Sequence, residues 1–190
     1  MSKPKILVIT STSRNGRTSR KVADWYISEA KKTNVDVDLE LLDIADLNLP
    51  LFNEAVPPMM HQYNDVQNKI ADVVGAADGF VFITAEYNHS IPGSLKNFMD
   101  YINAEWNHKA AAFVGYGTTG AVRAIEHMIG ILAELRVASV ANGFDHIHIN
   151  SPWEAFDENG VPKEGYVHGN IENQLKELSW WASALKAARS

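Results

Sequence analysis

The chain contains no cysteine, which excludes disulfides, thiolate metal sites and thiol catalysis while leaving every compartment open. It also lacks any apolar run near the roughly twenty residues that a membrane span requires. The opening MSKPKILVITSTS holds one apolar run that stops after about five residues, too short for the core of a secretion signal. A cytoplasmic protein is therefore the expectation. An excess of basic charge is missing as well. The formal net charge of −6 argues against a nucleic-acid binder with a globally basic surface, and it is too mild for a dedicated acidic docking protein. No internal repeat, low-complexity tract or linker interrupts the chain. Its 190 residues, 46% hydrophobic and 21% charged, suit one globular domain over residues 1–190.

Short apolar runs alternate with helical patterns. Lys5 to Thr10 (KILVIT) and Phe80 to Thr84 (FVFIT) are continuous runs of the kind a strand covered on both faces requires. Val35 to Leu42 alternates, and Ala110 to Val114 and Val137 to Ala141 complete a set of five strands. HIHIN, residues 146–150, extends the sheet edge. Helical stripes are read at Val22, Ala23, Tyr26, Ile27 and Ala30; at Val66, Ile70, Val73 and Val74; and at Leu95, Phe98, Met99 and Ile102. Ser90 and Pro92 suit the N-cap and first turn of that third helix. A fourth helix spans Ala121 to about Arg136, and the last carries Ile171, Leu175, Leu178 and Leu185. Five strands alternating with five helices predict an α/β fold, a parallel sheet with helices on both faces. Ligands in such folds bind at the carboxyl ends of the strands.

Three unusual loops follow the first, third and fourth strands, at that edge. The first, Ser11 to Ser19, crowds hydroxyls with Arg14 and Arg17 at the start of a helix. The helix amides there lack internal partners and the dipole is positive, so an anion, phosphate above all, is the natural occupant. A solvated, capped turn is the plainer alternative. No Walker A pattern is present. The second loop, AEYNHS, sets Glu86, Tyr87 and Asn88 after the third strand, and an aromatic face beside amide and carboxylate groups suits a flat heterocycle. A simple turn with Tyr87 over the core would give the same residues. The third loop, GYGTTG, matches G-x-G-x-x-G. A Rossmann site, however, uses the first strand and needs an acid about twenty residues later; here that region is VASVANG, with no carboxylate before Asp145. The glycines are read instead as letting backbone approach a bound ring. A phosphate end, an aromatic wall and a close-approach backbone together fit a phosphorylated flat cofactor, as FMN is held in flavodoxin-type folds.

STSRNGRTSRKVADW, LPLFNEAVPP, GFVFITAEYNHSIPGSLKNFMDYI and VGYGTTGAVRA resemble the NADPH-dependent FMN reductase family of flavin, quinone and azo-dye reductases. The motifs run from Ile6 to about Phe156, and the E-Y-N-x-S-x-P-G-x-L-K-N run is highly specific. The resemblance implies a flavodoxin-like three-layer sandwich with strand order 2-1-3-4-5. It also implies a homodimer or homotetramer, with FMN as cofactor and NADPH or NADH as co-substrate. It assigns Thr12, Arg14, Arg17, Thr18 and Ser19 to the FMN phosphate, Glu86, Tyr87 and Asn88 to the isoalloxazine, and Gly117 and Thr118 to its pyrimidine edge. Three positions depart from the pattern: Ser11 and Ala121 stand where the family usually has Gly, and Ala85 where it has Pro.

The chemistry then belongs to the flavin, hydride passing from nicotinamide to flavin and on to a flavin, quinone or azo-type acceptor, with no catalytic side chain named. Arg17 and Arg123 are candidates for a 2′-phosphate. The alternative is an FMN-binding electron carrier or redox-sensing protein without NAD(P)H activity. A third reading, a nucleotide-processing hydrolase or glycosyl transferase with Glu86 as nucleophile, lacks a clear acid partner. His146 and His148 could bind a metal but have no third ligand at an obvious spacing. The fourth helix carries two apolar stripes, Ile125, Ile129, Leu132 and Met128, Ile131, Leu135, so one is free for a partner subunit or both are buried. Trp106 and Trp153 lie in segments that could flank the flavin mouth.

Overall fold

KILVIT becomes β1 (Lys5–Thr10) in the computed structural model, which describes residues 3–140 and 146–189. From Ile6 onward every β1 side chain is buried, as helical cover on both faces demands. β2 (Asp38–Leu42) and β3 (Gly79–Ala85) flank it in parallel register, and β4 (Ala110–Gly117) lies beyond β3.

The next position is shared. β5 (Ala138–Ser139) pairs with the start of β4, and β6 (Ile147–Asn150) with its end, both in parallel. β7 (Val167–His168) then adds an antiparallel edge to β6. The order 2-1-3-4-5 holds with β5 and β6 taken as one broken strand, but the expected five strands become a 7-stranded sheet. Val137–Ala141 does not form one continuous strand. Only Ala138 and Ser139 ladder, and residues 146–150, read as an edge extension, supply the rest of the pairing. β4 is long enough for both short segments to lie along one of its edges. Ala141 and Asp145 fall outside the described residues.

α1 (Ser19–Ala30) and α6 (Ile171–Arg189) cover one face, packing Val22, Tyr26, Leu175 and Leu178 on Ile6, Val8 and Val81. α2 (Asp65–Gly75), α3 (Gly93–Asp100) and α4 (Val122–Glu134) cover the other, packing Ile70, Leu95, Phe98 and Ile125 on Leu7, Phe80 and Phe113. The strand residues alternate between the two clusters because successive side chains point to opposite faces. α5 (Pro152–Ala155) is a single turn after β6. α2 starts on a capping box: Asn64 accepts from the Gln67 amide and Gln67 accepts from that of Asn64.

Ser90 is not the N-cap of the third helix. Pro92 occupies that position and α3 begins at Gly93, because Ser90 is held in a turn with Tyr87. Nor does α4 keep a free apolar stripe. Met128 is fully buried beside Ile125 and Leu132, and Ile129, Ile131 and Leu135 pack partly on the same core. The two stripes converge on one core-facing side, and Val122, Glu126, Ala133 and Glu134 remain exposed. Trp106, whose segment could have flanked the flavin mouth, sits in the core against Phe80, Phe82 and Phe98.

β2 lies to one side of β1 and β3 to the other, so the chain reverses its direction across the sheet between them. The crevice at the carboxyl ends of β1 and β3 is therefore where ligands collect in this architecture.

Candidate functional site

The first loop runs from Ser11 to Thr18. Gly16 turns it with φ +69, a left-handed conformation suited to glycine. α1 then begins without help: Thr18, at the N-cap position, makes no side-chain hydrogen bond, and the first turn holds no acidic residue. An uncapped helix start leaves amide donors and a positive dipole directed at the loop.

Thr12 and Ser19 lie beneath this loop, both buried, with hydroxyls 2.7 Å apart, and Thr12 also meets the Tyr116 hydroxyl at 3.5 Å. Burial pushes the Tyr116 phenol up, and hydrogen bonds from its hydroxyl neighbours only partly offset this. The side chains of Ser13, Arg14 and Asn15 are exposed, and Arg17 and Thr18 are half-buried.

The two arginines differ. Arg14 donates through Nε to the Tyr87 hydroxyl at 2.8 Å. Arg17 donates to Asp43 Oδ2 at 2.9 Å, while its own Nε is buried without a hydrogen-bond partner. Asp43 stands just past β2, its side chain 2% exposed. Burial disfavours its charge, but hydrogen bonds from Arg17, the Thr10 hydroxyl and the Ala45 amide outweigh that and hold its pKa below the usual carboxylate value.

In the second loop Tyr87 and Ser90 exchange both backbone hydrogen bonds, at 2.9 and 3.1 Å. Asn88 and His89 between them have φ of 49° and 73°. Two left-handed residues inside such a pair make a tight turn, and Asn tolerates that conformation well. The turn lifts Tyr87 off the core and leaves it 38% exposed, so the ring offers a face to a ligand. Glu86 is nearly buried and ion-paired to Arg123, whose backbone amide it also accepts. A carboxylate so engaged is a poor nucleophile, which removes the main support for a hydrolase.

The glycines of the third loop have separate duties. A methyl at Gly115 would collide with the Gly120 carbonyl, and one at Gly120 would lie 2.7 Å from His148 Cβ. Both glycines therefore serve packing within the loop rather than approach to a ring. Only Gly117 is open on that side, its nearest neighbour 4.0 Å away, and Thr118 beyond it is exposed. Gly117 O accepts from the Ser151 amide, and Gly120 O lies 2.8 Å from His148 Nδ1. Trp153, 66% exposed, follows two residues after Ser151 and so stands at this edge. Ala121 takes the left-handed N-cap conformation of α4, φ 57°, and that helix starts one residue later than expected. Among the described residues no three His, Asp or Glu side chains gather as a metal site.

The loops are tied to one another. The Ala85 amide donates to Ser11 Oγ at 3.1 Å, and Ser94 Oγ donates to Ser11 O at 2.7 Å. Thr12 reaches Tyr116, Arg14 reaches Tyr87, and Glu86 reaches Arg123. Thr12, Arg14, Ser19, Tyr87 and the start of the third loop thus share one edge. Sequence reasoning missed Asp43, Tyr116 and Arg123 as structural partners of this site.

The family model for NADPH-dependent FMN reductases matches residues 4–149. An NAD(P)H-dependent FMN reductase of Schizosaccharomyces pombe is 36% identical over 141 residues, covering 71% of this chain and 70% of the relative. An NADPH azoreductase of a Bacillus strain is 29% identical and covers 97% of this chain and 96% of its own. Among solved structures, a flavoenzyme NAD(P)H:(acceptor) oxidoreductase from Paracoccus denitrificans superposes with a TM-score of 0.65 at 21% identity, over 96% of this chain and 94% of that one.

Proposed function

The chain belongs to the NADPH-dependent FMN reductase family, and from that premise we propose that its three tied loops hold FMN, the phosphate at the start of α1 and the ring beside Tyr87. The protein is an NAD(P)H-dependent oxidoreductase of that family, with FMN as its cofactor and NADPH or NADH as co-substrate. The donor set fits the group. The observation that carries the assignment is the uncapped start of α1. It lies beneath a loop of hydroxyls and two guanidinium groups, next to the exposed face of Tyr87. Amides, hydroxyls and guanidinium N–H groups all donate to phosphate oxygens, and the buried Arg17 Nε is a donor of the same kind.

Held by these residues, FMN would supply the hydride-transfer chemistry between a nicotinamide and a flavin, quinone or azo-type acceptor. Thr12 and Ser19 brace the loop from beneath through their paired hydroxyls. Thr18 and Arg17 flank the helix amides. Arg14 bridges the phosphate region and the Tyr87 hydroxyl, so it orients both ends of the site. Glu86, locked by Arg123, fixes the angle at which the Tyr87–Asn88 turn leaves β3. The backbone at Gly117 and Thr118 would meet the pyrimidine edge and offset negative charge on the reduced ring. Arg17 and Arg123, the two candidates for a 2′-phosphate, are each held by a carboxylate, which weakens the sequence case for either. We also assign a cytoplasmic location and a homodimer or homotetramer. The family resemblance and exposed apolar side chains such as Leu51, Met59 and Trp180 support the association.

The test is the affinity of Arg14→Ala for FMN, followed by quenching of flavin fluorescence. A loss of about tenfold or more is expected, the scale of one charge-assisted hydrogen bond to an anion. Affinity equal to the parent's would remove Arg14 from the phosphate site.

A further inference from the structure

Asp43 poses a question that the assignment of FMN leaves open. A carboxylate beside a phosphate-binding loop repels a dianion, so elementary electrostatics would exclude it from this position. Yet it is ionised, almost entirely buried, and bonded at both oxygens. Oδ1 accepts from the Thr10 hydroxyl at 2.8 Å and the Ala45 amide at 3.2 Å, and Oδ2 accepts from Arg17 Nη2 at 2.9 Å. Thr10 Oγ1 in turn accepts from the Ile44 amide at 3.2 Å. One carboxylate therefore fastens the last residue of β1 and the turn after β2 to a side chain at the end of the first loop.

Its partner is only partly used. A guanidinium carries five N–H donors in a rigid plane, and Asp43 takes one from Arg17, leaving Nε buried with no partner. Fixing one end of a planar fork fixes the directions of the remaining donors, which then need no reordering to meet an anion. The pair is also neutral as a whole, so the charge that would repel phosphate is cancelled where it stands.

We infer that Asp43 is the positioning residue of the phosphate cradle: it holds the Arg17 guanidinium in place, and the cofactor's affinity depends on it even though it shares the phosphate's charge. This inference rests on the assignment of the α1 loop to the FMN phosphate. It predicts the reverse of simple charge removal. Asp43→Asn deletes a negative charge, keeps an amide oxygen for Thr10 and Ala45, and turns an N–H donor toward Arg17 in place of an acceptor. Repulsion alone would make this variant bind FMN more tightly; positioning makes it bind more weakly.

The experiment measures dissociation constants for FMN and for riboflavin, which lacks the phosphate, in the parent, Asp43→Asn, Arg17→Ala and the double variant. The expected result is about a tenfold or greater loss for FMN in Asp43→Asn, within about twofold for riboflavin. In the Arg17→Ala background Asp43→Asn should cause no further loss, since residues acting through one contact are not additive, and FMN affinity should stay level or rise as the carboxylate that Arg17 no longer neutralises is removed. Tighter or unchanged FMN binding in Asp43→Asn would overturn the inference, as would equal losses for both flavins. If Asp43→Asn does not fold, Arg17→Ala and its double variant decide. A further loss of FMN affinity in the folded double variant would contradict action through Arg17. A parent protein with no preference for FMN over riboflavin would instead overturn the phosphate assignment itself.

Discussion

Ser11 and Ala85 show how two departures from a family pattern compensate at the scale of single residues. Glycine at position 11 would have no side chain, and proline at 85 would have no amide hydrogen. Here the Ala85 amide donates to the Ser11 hydroxyl, so each supplies what the usual residue lacks. Ser11→Gly alone strands a buried donor and should lower stability by about 1–3 kcal/mol. Ala85→Pro in that background removes the stranded donor and should recover much of the loss. Thermal melts of the two single variants and the double variant decide this, and additive losses would contradict the coupling. The pairing was not legible in the sequence, because its members lie 74 positions apart. The same holds for Thr12 with Tyr116, 104 apart, and Thr10 with Asp43, 33 apart. Arg14, Tyr87 and the α1 start were legible, since each belongs to a local pattern of hydroxyls, charges and turn residues.

At the scale of elements, apolar periodicity gave the strands and helices well where burial is two-sided or a stripe is clean, as in β1, β3 and α1. It failed for the fifth strand because two short segments share one edge of β4, and a pairing partner leaves no mark on local periodicity. For α4 it left a spare stripe and the burial of both equally open, and the structure packs both on the core. Lys109 is a further case that pattern alone does not reveal. Its ammonium is buried at the end of α2, donating to the carbonyls of Val74 and Gly75 at 2.7 and 2.9 Å. Val74 O also accepts from the Ala77 amide at 3.2 Å, and Lys109 adds a donor to it and to Gly75 at the carbonyl end of the helix. Burial lowers the pKa of Lys109 to about 8, assisted by nearby Arg189 and opposed by Asp78 and Glu105. Free lysine titrates at about 10.4, so between those values the unfolded chain holds a proton that the folded one has released. Stability must then rise with pH across that window. Relative to Lys109→Met, the parent protein should gain in melting temperature between pH 8 and about 10; a constant difference would contradict the buried-charge account.

For the whole molecule, the sheet separates two tasks. The carboxyl ends of β1, β3 and β4 carry the site, and the opposite edge carries a clamp on the last helix. There Asp78, nearly buried, accepts from the Lys5 amide at 2.9 Å, from Lys186 Nζ at 2.8 Å and from Arg189 at 3.4 Å. Removing this nearly buried acceptor leaves the Lys5 amide without its side-chain partner and releases both ends of the clamp, at about 1–3 kcal/mol. Asp78→Ala should accordingly lower the melting temperature while leaving FMN affinity within about twofold of the parent. A large loss of FMN affinity in the folded variant would mean that the two edges are coupled. This division also explains why the fold class was readable from the order of elements, whereas the clamp was not: alternation is a local property, and Asp78 meets Arg189 only after the sheet has formed.

The central claim is that this chain uses bound FMN to take hydride from a reduced nicotinamide. An anaerobic visible spectrum of the FMN-loaded protein, recorded before and after NADPH is added, tests it most directly. Rapid loss of the oxidised flavin band is the expected result. A bound flavin that stays oxidised with both NADPH and NADH would contradict the claim and leave an electron carrier or redox sensor in its place.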